Sequence, residues 1–570
     1  MNNKQVLKRV LKLLLINKFK FIFALLLSII SVLGTLFIPI YLGNIIDNIS
    51  NININNLLLK LYPLVIIIVI TSLSLFLSTY LMNLISYNIT TKLRHLMIEK
   101  LLEVPISDIY NYSEGDLLIT YTLDVNMIGD TSLQSLTNLV NGIITIITTL
   151  VIMLTLNYKI GILVFVLTPL SLAFASLISK KIYKTMQKQT KIKSKMSSLI
   201  NEAFEIHDSI ICDNYENITI SKFTNLNNEL NEVGFKAQFL GALINPITRF
   251  INALIYAAIT LYGLYNAIYF GLSIGTLQVF LNYTQSYTKP FNDCSMVVGE
   301  LANTIASARR VFKILDLKKE ENLGNVKLEH IDTIEFRNVY FKYADSDRYI
   351  LNNVSFKINK NDQVAIVGKT GSGKTTLINI LLGFYKIEKG SILINDISLY
   401  EYDLAYLRNH ISIVLQDSYI FNDNVYNNIN YSNNLSLEEV VNYAKETNYD
   451  SFVRKYENNY NTIVNNNSIS YGESQLLALT RTLAKDNPLV IMDEATSNLD
   501  LRTEKLINDT TIKLLENKTC ITIAHRISTI RNASYIIVFN NGEINGIGKH
   551  KELIKNNELY RLIYQDEFNN

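Results

Sequence analysis

The chain has 570 residues, a formal net charge of +3 at pH 7 and an apolar fraction of 49%. This length exceeds what a single hydrophobic core supports, so several structural units are expected. The near-neutral charge gives no indication of nucleic-acid binding. The three cysteines, Cys212, Cys294 and Cys520, are isolated in the sequence, so we interpret them as reduced thiols without a metal-binding role.

The N-terminal segment is basic and amphipathic, which is typical of a helix lying at an anionic membrane surface. Its basic residues are Lys4, Lys8, Arg9, Lys12, Lys18 and Lys20. No cleavage site with small residues follows this segment. A signal peptide is therefore not expected.

Six apolar stretches follow, each close to the ~20 residues that a bilayer core requires. The predicted spans cover residues 21–42, 61–84, 136–156, 160–178, 239–261 and 276–296. Lysine and arginine concentrate in the connections after the second and fourth spans, which predicts that both termini lie in the cytoplasm. These two connections are also the longest, so we expect the second to fifth helices to extend into the cytoplasm as rods.

Two of the predicted spans carry polar residues at helical spacing, which places them on one helix face. On the sixth span these are Gln278, Asn282, Gln285, Lys289 and Asn292, and on the third they are Asn138, Asn141, Thr145 and Thr149. Such faces avoid lipid. They indicate either a water-filled transport cavity or hydrogen bonds between helices, and the sequence leaves both interpretations open.

A glycine-rich sequence, GKTGSGKTT, occupies residues 368–376 between two apolar runs. Its position predicts a turn from a strand into a helix, where backbone amides and the positive end of the helix dipole can bind phosphate. We expect Lys374 to contact the outer phosphates and Thr375 to bind Mg²⁺. The alternative is a glycine-rich turn with an incidental lysine. The predicted loop comprises Gly368, Lys369, Thr370, Gly371, Ser372, Gly373, Lys374, Thr375 and Thr376.

Residues 334–343 and 350–358 alternate apolar and polar side chains, which predicts two strands of a small antiparallel sheet. Tyr343 ends the first of these strands. It could stack on an adenine ring, although a tyrosine in a strand ordinarily contributes to packing.

Further motifs follow the glycine-rich loop in one order: VLQDSYIF with Gln416, ISYGESQ at 469–475, LVIMDE at 489–494, SNLD at 497–500 and IAHR with His525. With this set, the second half resembles the nucleotide-binding domain of ATP-binding cassette (ABC) transporters. Six spans ahead of one such domain resemble the half-transporter arrangement of the exporter branch. The resemblance implies a helical membrane domain with six transmembrane helices and long cytoplasmic extensions, followed by an α/β P-loop ATPase domain.

The resemblance assigns a role to each matching residue. Thr375, Gln416 and Asp493 would hold Mg²⁺, Glu494 would polarise the attacking water, and His525 would contact the γ-phosphate of ATP. Tyr343 would stack on adenine. Ser470, Gly472 and Glu473 occupy the signature sequence that contacts the partner's ATP in this family.

The implied domains are a transmembrane domain at 1–312, a linker at 313–330 and a nucleotide-binding domain at 331–570. The implied function is export of a lipid, drug or peptide across the cytoplasmic membrane, driven by ATP hydrolysis with Mg²⁺. An importer with the exporter fold, or a membrane sensor that binds ATP without transport, are the alternatives. An intact Glu494 argues against the sensor.

The signature departs from the family pattern. Tyr471 replaces its first glycine, Glu473 replaces its glutamine, and Asn465 to Asn467 replace the acidic, glycine-bearing segment that usually precedes it. The residues that this chain supplies to the ATP half-site around its own phosphate loop, including Lys374, Glu494 and His525, all match the family pattern. This asymmetry favours a heterodimer with a second half-transporter over a homodimer.

Overall fold

The computed structural model describes residues 2–47, 54–322, 324–343, 346–416, 418–431, 433–493, 501–524 and 527–568. These residues form two compact units. One consists of Met1–Leu102 and Tyr112–Leu317, and the other of Glu103–Asn111 and Lys318–Asn570. The first is helical and the second combines helices with sheets, so the predicted fold class is confirmed.

Helices make up the first unit. They are α1 (Asn3–Leu14), α2 (Lys18–Asp47), α3 (Ile54–Glu103), α5 (Glu114–Ile119), α6 (Ser132–Leu156), α7 (Tyr158–Glu205), α8 (His207–Cys212), α9 (Glu216–Phe270) and α10 (Ile274–Leu315), while the short α4 (Ile106–Ile109) belongs to the second unit. At 1.5 Å per residue, the 55 residues of α9 extend about 80 Å, far beyond a ~30 Å bilayer core. The predicted helical rods are therefore present.

Each of the six predicted spans lies within one of these helices. Among the described residues, four segments are long and apolar enough to cross a membrane: Asn3–Asp47, Leu61–Glu103, Glu114–Leu156 and Arg249–Phe270. The predicted fourth span begins with the shorter apolar segment Tyr158–Thr168 of α7. The sixth lies on α10, whose polar side chains lower its hydropathy. The count of six spans therefore stays a prediction.

Buried polar pairs join the helices of the first unit. Two π-helical turns, Thr120–Asp124 and Met127–Thr131, precede α6, and each rotates the side chains that follow it relative to a regular helix. The Asp124 carboxylate is 3% exposed and accepts two hydrogen bonds from Arg310, both at 2.6 Å. Because a buried carboxylate without a partner is costly, this pair links the start of α6 to α10.

Alternating strands and helices make up the second unit. The strands are β1 (Thr333–Phe341), β2 (Leu351–Asn359), β3 (Gln363–Gly368), β4 (Lys389–Ile394), β5 (Ile397–Ser398), β6 (Ile411–Val414), β7 (Asp423–Asn424), β8 (Ile463–Val464), β9 (Leu489–Asp493), β10 (Thr519–Ile523), β11 (Tyr535–Asn540) and β12 (Glu543–Gly548). The helices are α11 (Lys374–Leu381), α12 (Leu404–Asn409), α13 (Val425–Asn430), α14 (Leu437–Glu446), α15 (Asp450–Val453), α16 (Tyr471–Lys485), α17 (Leu501–Leu515), α18 (Ile527–Asn532), α19 (His550–Asn556) and α20 (Glu558–Phe568).

Two larger sheets organise these strands. The four-stranded sheet has the order β2-β1-β4-β5 and is antiparallel, so the pairing predicted for its first two strands is confirmed. The six-stranded sheet has the order β12-β11-β3-β10-β9-β6 and is parallel apart from β12. Its inner strands are apolar and buried on both faces, as parallel strands covered by helices require.

We expect Arg310→Met to lower the stability of the purified protein by about 2 kcal/mol, because the Asp124 carboxylate would stay buried without its donor. Thermal unfolding in detergent measures this as a lower Tm. The neighbouring Arg309→Met removes an exposed guanidinium and serves as the matched control. Adding Asp124→Asn to Arg310→Met should recover most of the loss. An unchanged Tm in Arg310→Met would show that the pair does not hold these helices.

Candidate nucleotide-binding site

The glycine-rich loop lies between β3, which ends at Gly368, and α11, which begins at Lys374. Gly373 caps this helix with φ +108°, a left-handed conformation that side-chain-bearing residues rarely adopt. A Cβ on Gly368 would lie 2.5 Å from the carbonyl oxygen of Phe539. The glycines at these two positions are therefore required by the turn and by the close approach of the neighbouring strand.

Polar groups converge inside this loop. The Lys374 ammonium is buried and donates hydrogen bonds to the carbonyl oxygens of Gly368 at 2.5 Å and Lys369 at 3.2 Å. The buried Ser372 hydroxyl has no hydrogen-bond partner among the described residues. A buried ammonium, an unsatisfied hydroxyl and the N-terminus of a helix together form a site for an anion with several oxygens. The residues present thus fit a nucleotide phosphate chain.

Tyr343 lies beside the phosphate loop. Its hydroxyl shares a 3.1 Å hydrogen bond with the hydroxyl of Thr376 in the first turn of α11. Its ring makes edge-to-face contacts with Phe341 and Tyr385, at centroid distances of 5.0 and 5.2 Å. These contacts fix the ring beside the loop, and its stacking on adenine stays a prediction.

The residues predicted to bind Mg²⁺ come from different strands that end at the same edge of the large sheet. Asp493 ends β9, Gln416 follows β6, and the loop with Thr375 follows β3. All three strands run parallel, in the spatial order β3-β10-β9-β6. Parallel strands present their carboxyl ends at one edge, which is where open α/β sheets bind ligands.

Two predicted catalytic residues, Glu494 and His525, lie outside the described residues, as does the SNLD segment at 497–500. Each comes directly after a described stretch of chain: Asp493 ends β9, and Ala524 follows β10.

The signature sequence forms the N-terminal turn of α16. Ser470 is the N-cap, and its hydroxyl accepts a hydrogen bond from the backbone N–H of Glu473 at 3.3 Å. In return, the Glu473 carboxylate accepts the Ser470 N–H at 2.8 Å. This reciprocal capping box places a negative charge at the helix end that would otherwise favour an anion. Gly472, in the same first turn of α16, is buried.

The carboxylate of Glu473 also faces a buried tyrosine cluster. Burial, and to a smaller extent the nearby Glu473 carboxylate, raises the pKa of Tyr456 to about 12. Burial raises the pKa of Tyr449 as well, with smaller contributions from Tyr456 and Glu473. The acid in the signature is thus adjacent to phenols that stay protonated at neutral pH.

Tyr471, which replaces the first signature glycine, connects α16 to the loop that carries Gln416. Its hydroxyl donates a 3.0 Å hydrogen bond to the backbone carbonyl of Gln416 and accepts one at 2.9 Å from the Gln475 side chain. The sequence marked Tyr471 as unusual, but a contact across 55 positions of sequence cannot be derived from spacing. Two hydrogen bonds within the chain therefore fix the position of the Tyr471 side chain.

Arg481 was missed by the sequence analysis. From one helical face of α16 its guanidinium donates to the backbone oxygens of Asn428 at 2.8 Å and Tyr419 at 3.2 Å. It also lies over the rings of Phe421 and Tyr431, at 5.3 and 5.6 Å from their centroids. Burial lowers the pKa of this guanidinium, yet an arginine stays charged at neutral pH. Arg481 thus holds the segment that follows Gln416 against α16.

The first unit contains a cavity of about 430 Å³ between α2, α6 and α10. Of the predicted polar faces, Asn138, Asn141, Thr145 and Lys289 line it. The remaining members of the two faces do not line it. Thr149 is buried and donates to carbonyl oxygens of its own helix, and Asn282 is partly buried. Gln278 and Gln285 are exposed outside the cavity, and the Asn292 side chain is not among the described ones. The two polar faces therefore contribute only in part to a shared cavity.

We expect Tyr471→Phe to loosen the Gln416 segment, because both hydrogen bonds of the phenol are lost, at about 1 kcal/mol each. Hydrogen–deuterium exchange of the amides around Gln416 should become several-fold faster than in the parent protein. Tyr443→Phe is the matched control, since the structure records no hydrogen bond for the Tyr443 hydroxyl among the described residues. Equal exchange in both variants would contradict the link.

Comparisons with known proteins agree with this geometry. A family model described as the ABC transporter transmembrane region matches residues 21–291, and one described as ABC transporter matches residues 351–497. YfiC of Bacillus subtilis (strain 168), an uncharacterized ABC transporter ATP-binding protein, is 32% identical, with 100% of this chain and 95% of the relative covered. An ATP-dependent lipid A-core flippase of Haemophilus influenzae (strain 86-028NP) is 30% identical, over 90% of this chain and 89% of the relative.

A solved structure, that of a bacterial Atm1-family ABC exporter with ATP bound, has the same fold. It superimposes with a TM-score of 0.77 at 24% sequence identity, covering 97% of this chain and 99% of the other. Both halves of the chain are thus accounted for, the helical half as a multi-pass region of the cell membrane and the α/β half as a nucleotide-binding ATPase domain. The chain belongs to the ABC transporter family, as an ATPase-coupled half-transporter of the exporter type.

Proposed function

We propose that this chain is one half of a dimeric exporter that uses ATP hydrolysis to move a lipid-like amphiphile out of the cytoplasmic leaflet. The observation that carries the proposal is the phosphate loop, where the buried Lys374 ammonium and the unsatisfied Ser372 hydroxyl meet at the end of β3. The chain's similarity to ATP-dependent lipid A-core flippases supports an amphipathic substrate.

On this proposal, the α/β unit binds ATP through backbone amides of the loop at residues 368–376, and Lys374 contacts the outer phosphates. Tyr343 packs against the base. Thr375, Gln416 and Asp493 hold Mg²⁺, which neutralises phosphate charge when it is bound. Glu494 polarises the attacking water and His525 contacts the γ-phosphate. This set positions reactants and stabilises charge, which is most of what phosphoryl transfer requires.

We assign the membrane domain to residues 1–312, the linker to 313–330 and the nucleotide-binding domain to 331–570, with both termini in the cytoplasm. The change of compact unit after Leu317 supports a linker in this region. Helix α10 continues to Leu315, so the proposed boundary at residue 312 falls within its last turn.

The signature of this chain favours a partner that is a different half-transporter. Exporters of this kind work as dimers, in which each ATP lies between one chain's phosphate loop and the other chain's signature. Here the Glu473 carboxylate is fixed at the N-terminus of α16, next to the Ser470 hydroxyl that would approach the partner's γ-phosphate. Two anions at one helix end repel each other. A heterodimer confines this repulsion to one of its two sites, and we favour it for that reason.

Glu494→Gln should retain ATP binding but lower steady-state ATPase activity by roughly two orders of magnitude, because general-base assistance is removed. In inside-out vesicles, the same variant should abolish ATP-dependent accumulation of a fluorescent short-chain lipid that the parent transporter moves. Near-normal turnover would remove Glu494 from this role. Uptake by right-side-out vesicles with ATP enclosed would indicate an importer instead.

Expressed alone, the chain should show little ATPase activity, and co-expression with a second half-transporter that has an intact signature should restore it. Glu473→Gln in the chain alone should raise the activity several-fold, because a neutral amide does not repel phosphate. Glu439→Gln changes the equivalent capping position of α14 and is the matched control. Substrate-stimulated ATPase in a purified homodimer of the parent chain would refute the heterodimer.

A further inference from the structure

The cavity of the first unit contains charged groups of both signs. Besides the amides of α6, it is lined by Lys289, Asp293 and Glu300 of α10. These three positions recur at helical spacing, so they lie along one wall. In the proposed topology α10 begins at Ile274 on the extracellular side of the membrane. At 1.5 Å per residue, Lys289 then lies about 22 Å and Asp293 about 28 Å along the helix axis from Ile274. Both charges then lie at the depth of the cytoplasmic leaflet of a ~30 Å core.

Two of the polar groups around them already have a partner. The Glu300 carboxylate accepts a 2.7 Å hydrogen bond from Ser135, and the amide oxygen of Asn141 accepts one at 3.1 Å from Ser28. In contrast, neither Lys289 nor Asp293 forms a hydrogen bond or an ion pair with any residue that the structure describes, including each other. Charges at membrane depth are costly unless something pairs with them, and unpaired ones are typical of substrate pathways.

We propose that this cavity binds a zwitterionic headgroup that combines a phosphate with a primary ammonium, with Lys289 contacting the phosphate and Asp293 the ammonium. One helical turn separates the two side chains, a spacing at which they can contact neighbouring groups of one small headgroup. A volume of about 430 Å³ accommodates a headgroup but not the acyl chains, which stay in the bilayer. This inference rests on the proposed function, in that it names the substrate class of the same transporter.

The amides of Asn138 and Asn141 refine the choice of headgroup. Both side chains line the cavity beside the charged wall, and each amide oxygen can accept two hydrogen bonds, of which Asn141 already accepts one from Ser28. A primary ammonium donates up to three, whereas a quaternary ammonium donates none. Ethanolamine-type headgroups are therefore favoured over choline-type headgroups of equal charge. A purely anionic headgroup leaves Asp293 without a partner.

Binding can be tested without transport. In full-length protein with Cys212 and Cys294 replaced by serine, Ser286→Cys places a thiol in the cavity, and a second variant that keeps only the exposed Cys212, outside the predicted spans, is the control. A water-soluble maleimide is applied in the nucleotide-free state, with short-chain phosphatidylethanolamine, phosphatidylcholine or phosphatidylglycerol, or with soluble phosphoethanolamine.

Phosphatidylethanolamine should slow labelling of the Ser286→Cys thiol at least ten-fold. The other lipids and the soluble headgroup should have a weaker effect, and labelling of the control thiol Cys212 should not change. Lys289→Gln should remove the protection, and Asp293→Asn should remove the preference for ethanolamine over choline. The double variant Lys289→Asp with Asp293→Lys keeps both charges and controls for folding, and it should keep partial protection.

Equal protection by all three lipids, or no labelling of the cavity thiol at all, would overturn the inference. Protection by soluble phosphoethanolamine at the same concentration would support the headgroup site but overturn a lipid as the source of the headgroup. Protection without ATP-driven movement of the lipid in vesicles would instead overturn the proposed export while leaving the headgroup site in place.

Discussion

The nucleotide site depends on how β3 packs between its two neighbours. Parallel hydrogen bonding joins β3 to β10 on one side and to β11 on the other, and the strand is buried up to its end at Gly368. At that point the carbonyl oxygen of Phe539 approaches to a distance that only a glycine tolerates. The same sheet order brings the ends of β9 and β6 to the edge where the phosphate loop lies. The site is therefore a product of strand order.

Helix α16 organises the opposite part of the α/β unit. Its first turn carries the signature, and the same helix holds the loop after β6 through Tyr471 and Arg481. Replacement of a glycine by tyrosine at residue 471 could have obstructed the helix end. The phenol instead binds the Gln416 carbonyl, so the departure from the family pattern adds a contact within the chain. Glu473 has no comparable compensation, because its capping bonds leave its charge at the helix terminus.

Some polar side chains of the helical unit are paired with a neighbouring helix, and others are not paired with any described residue. Asp124 and Glu300 are matched by Arg310 and Ser135, so these groups hold helices together. Lys289 shares a cavity with Glu300 and has no such match among the described residues. Satisfied groups at helix contacts stabilise the unit, whereas the unpaired charge in the cavity is the basis of the proposed headgroup site.

Local patterns in the sequence determined much of this protein. Apolar runs of bilayer length, the glycine-rich loop and the order of motifs from Gln416 to His525 predicted the fold class and the nucleotide site, because helix periodicity, glycine geometry and phosphate chemistry act over a few residues. Only the tertiary structure showed that Tyr471 contacts the Gln416 carbonyl, that Arg481 holds the neighbouring segment, and that Lys289 but not Gln278 or Gln285 lines a cavity. These outcomes depend on which distant side chains meet when helices and strands pack, and spacing along one chain does not encode that.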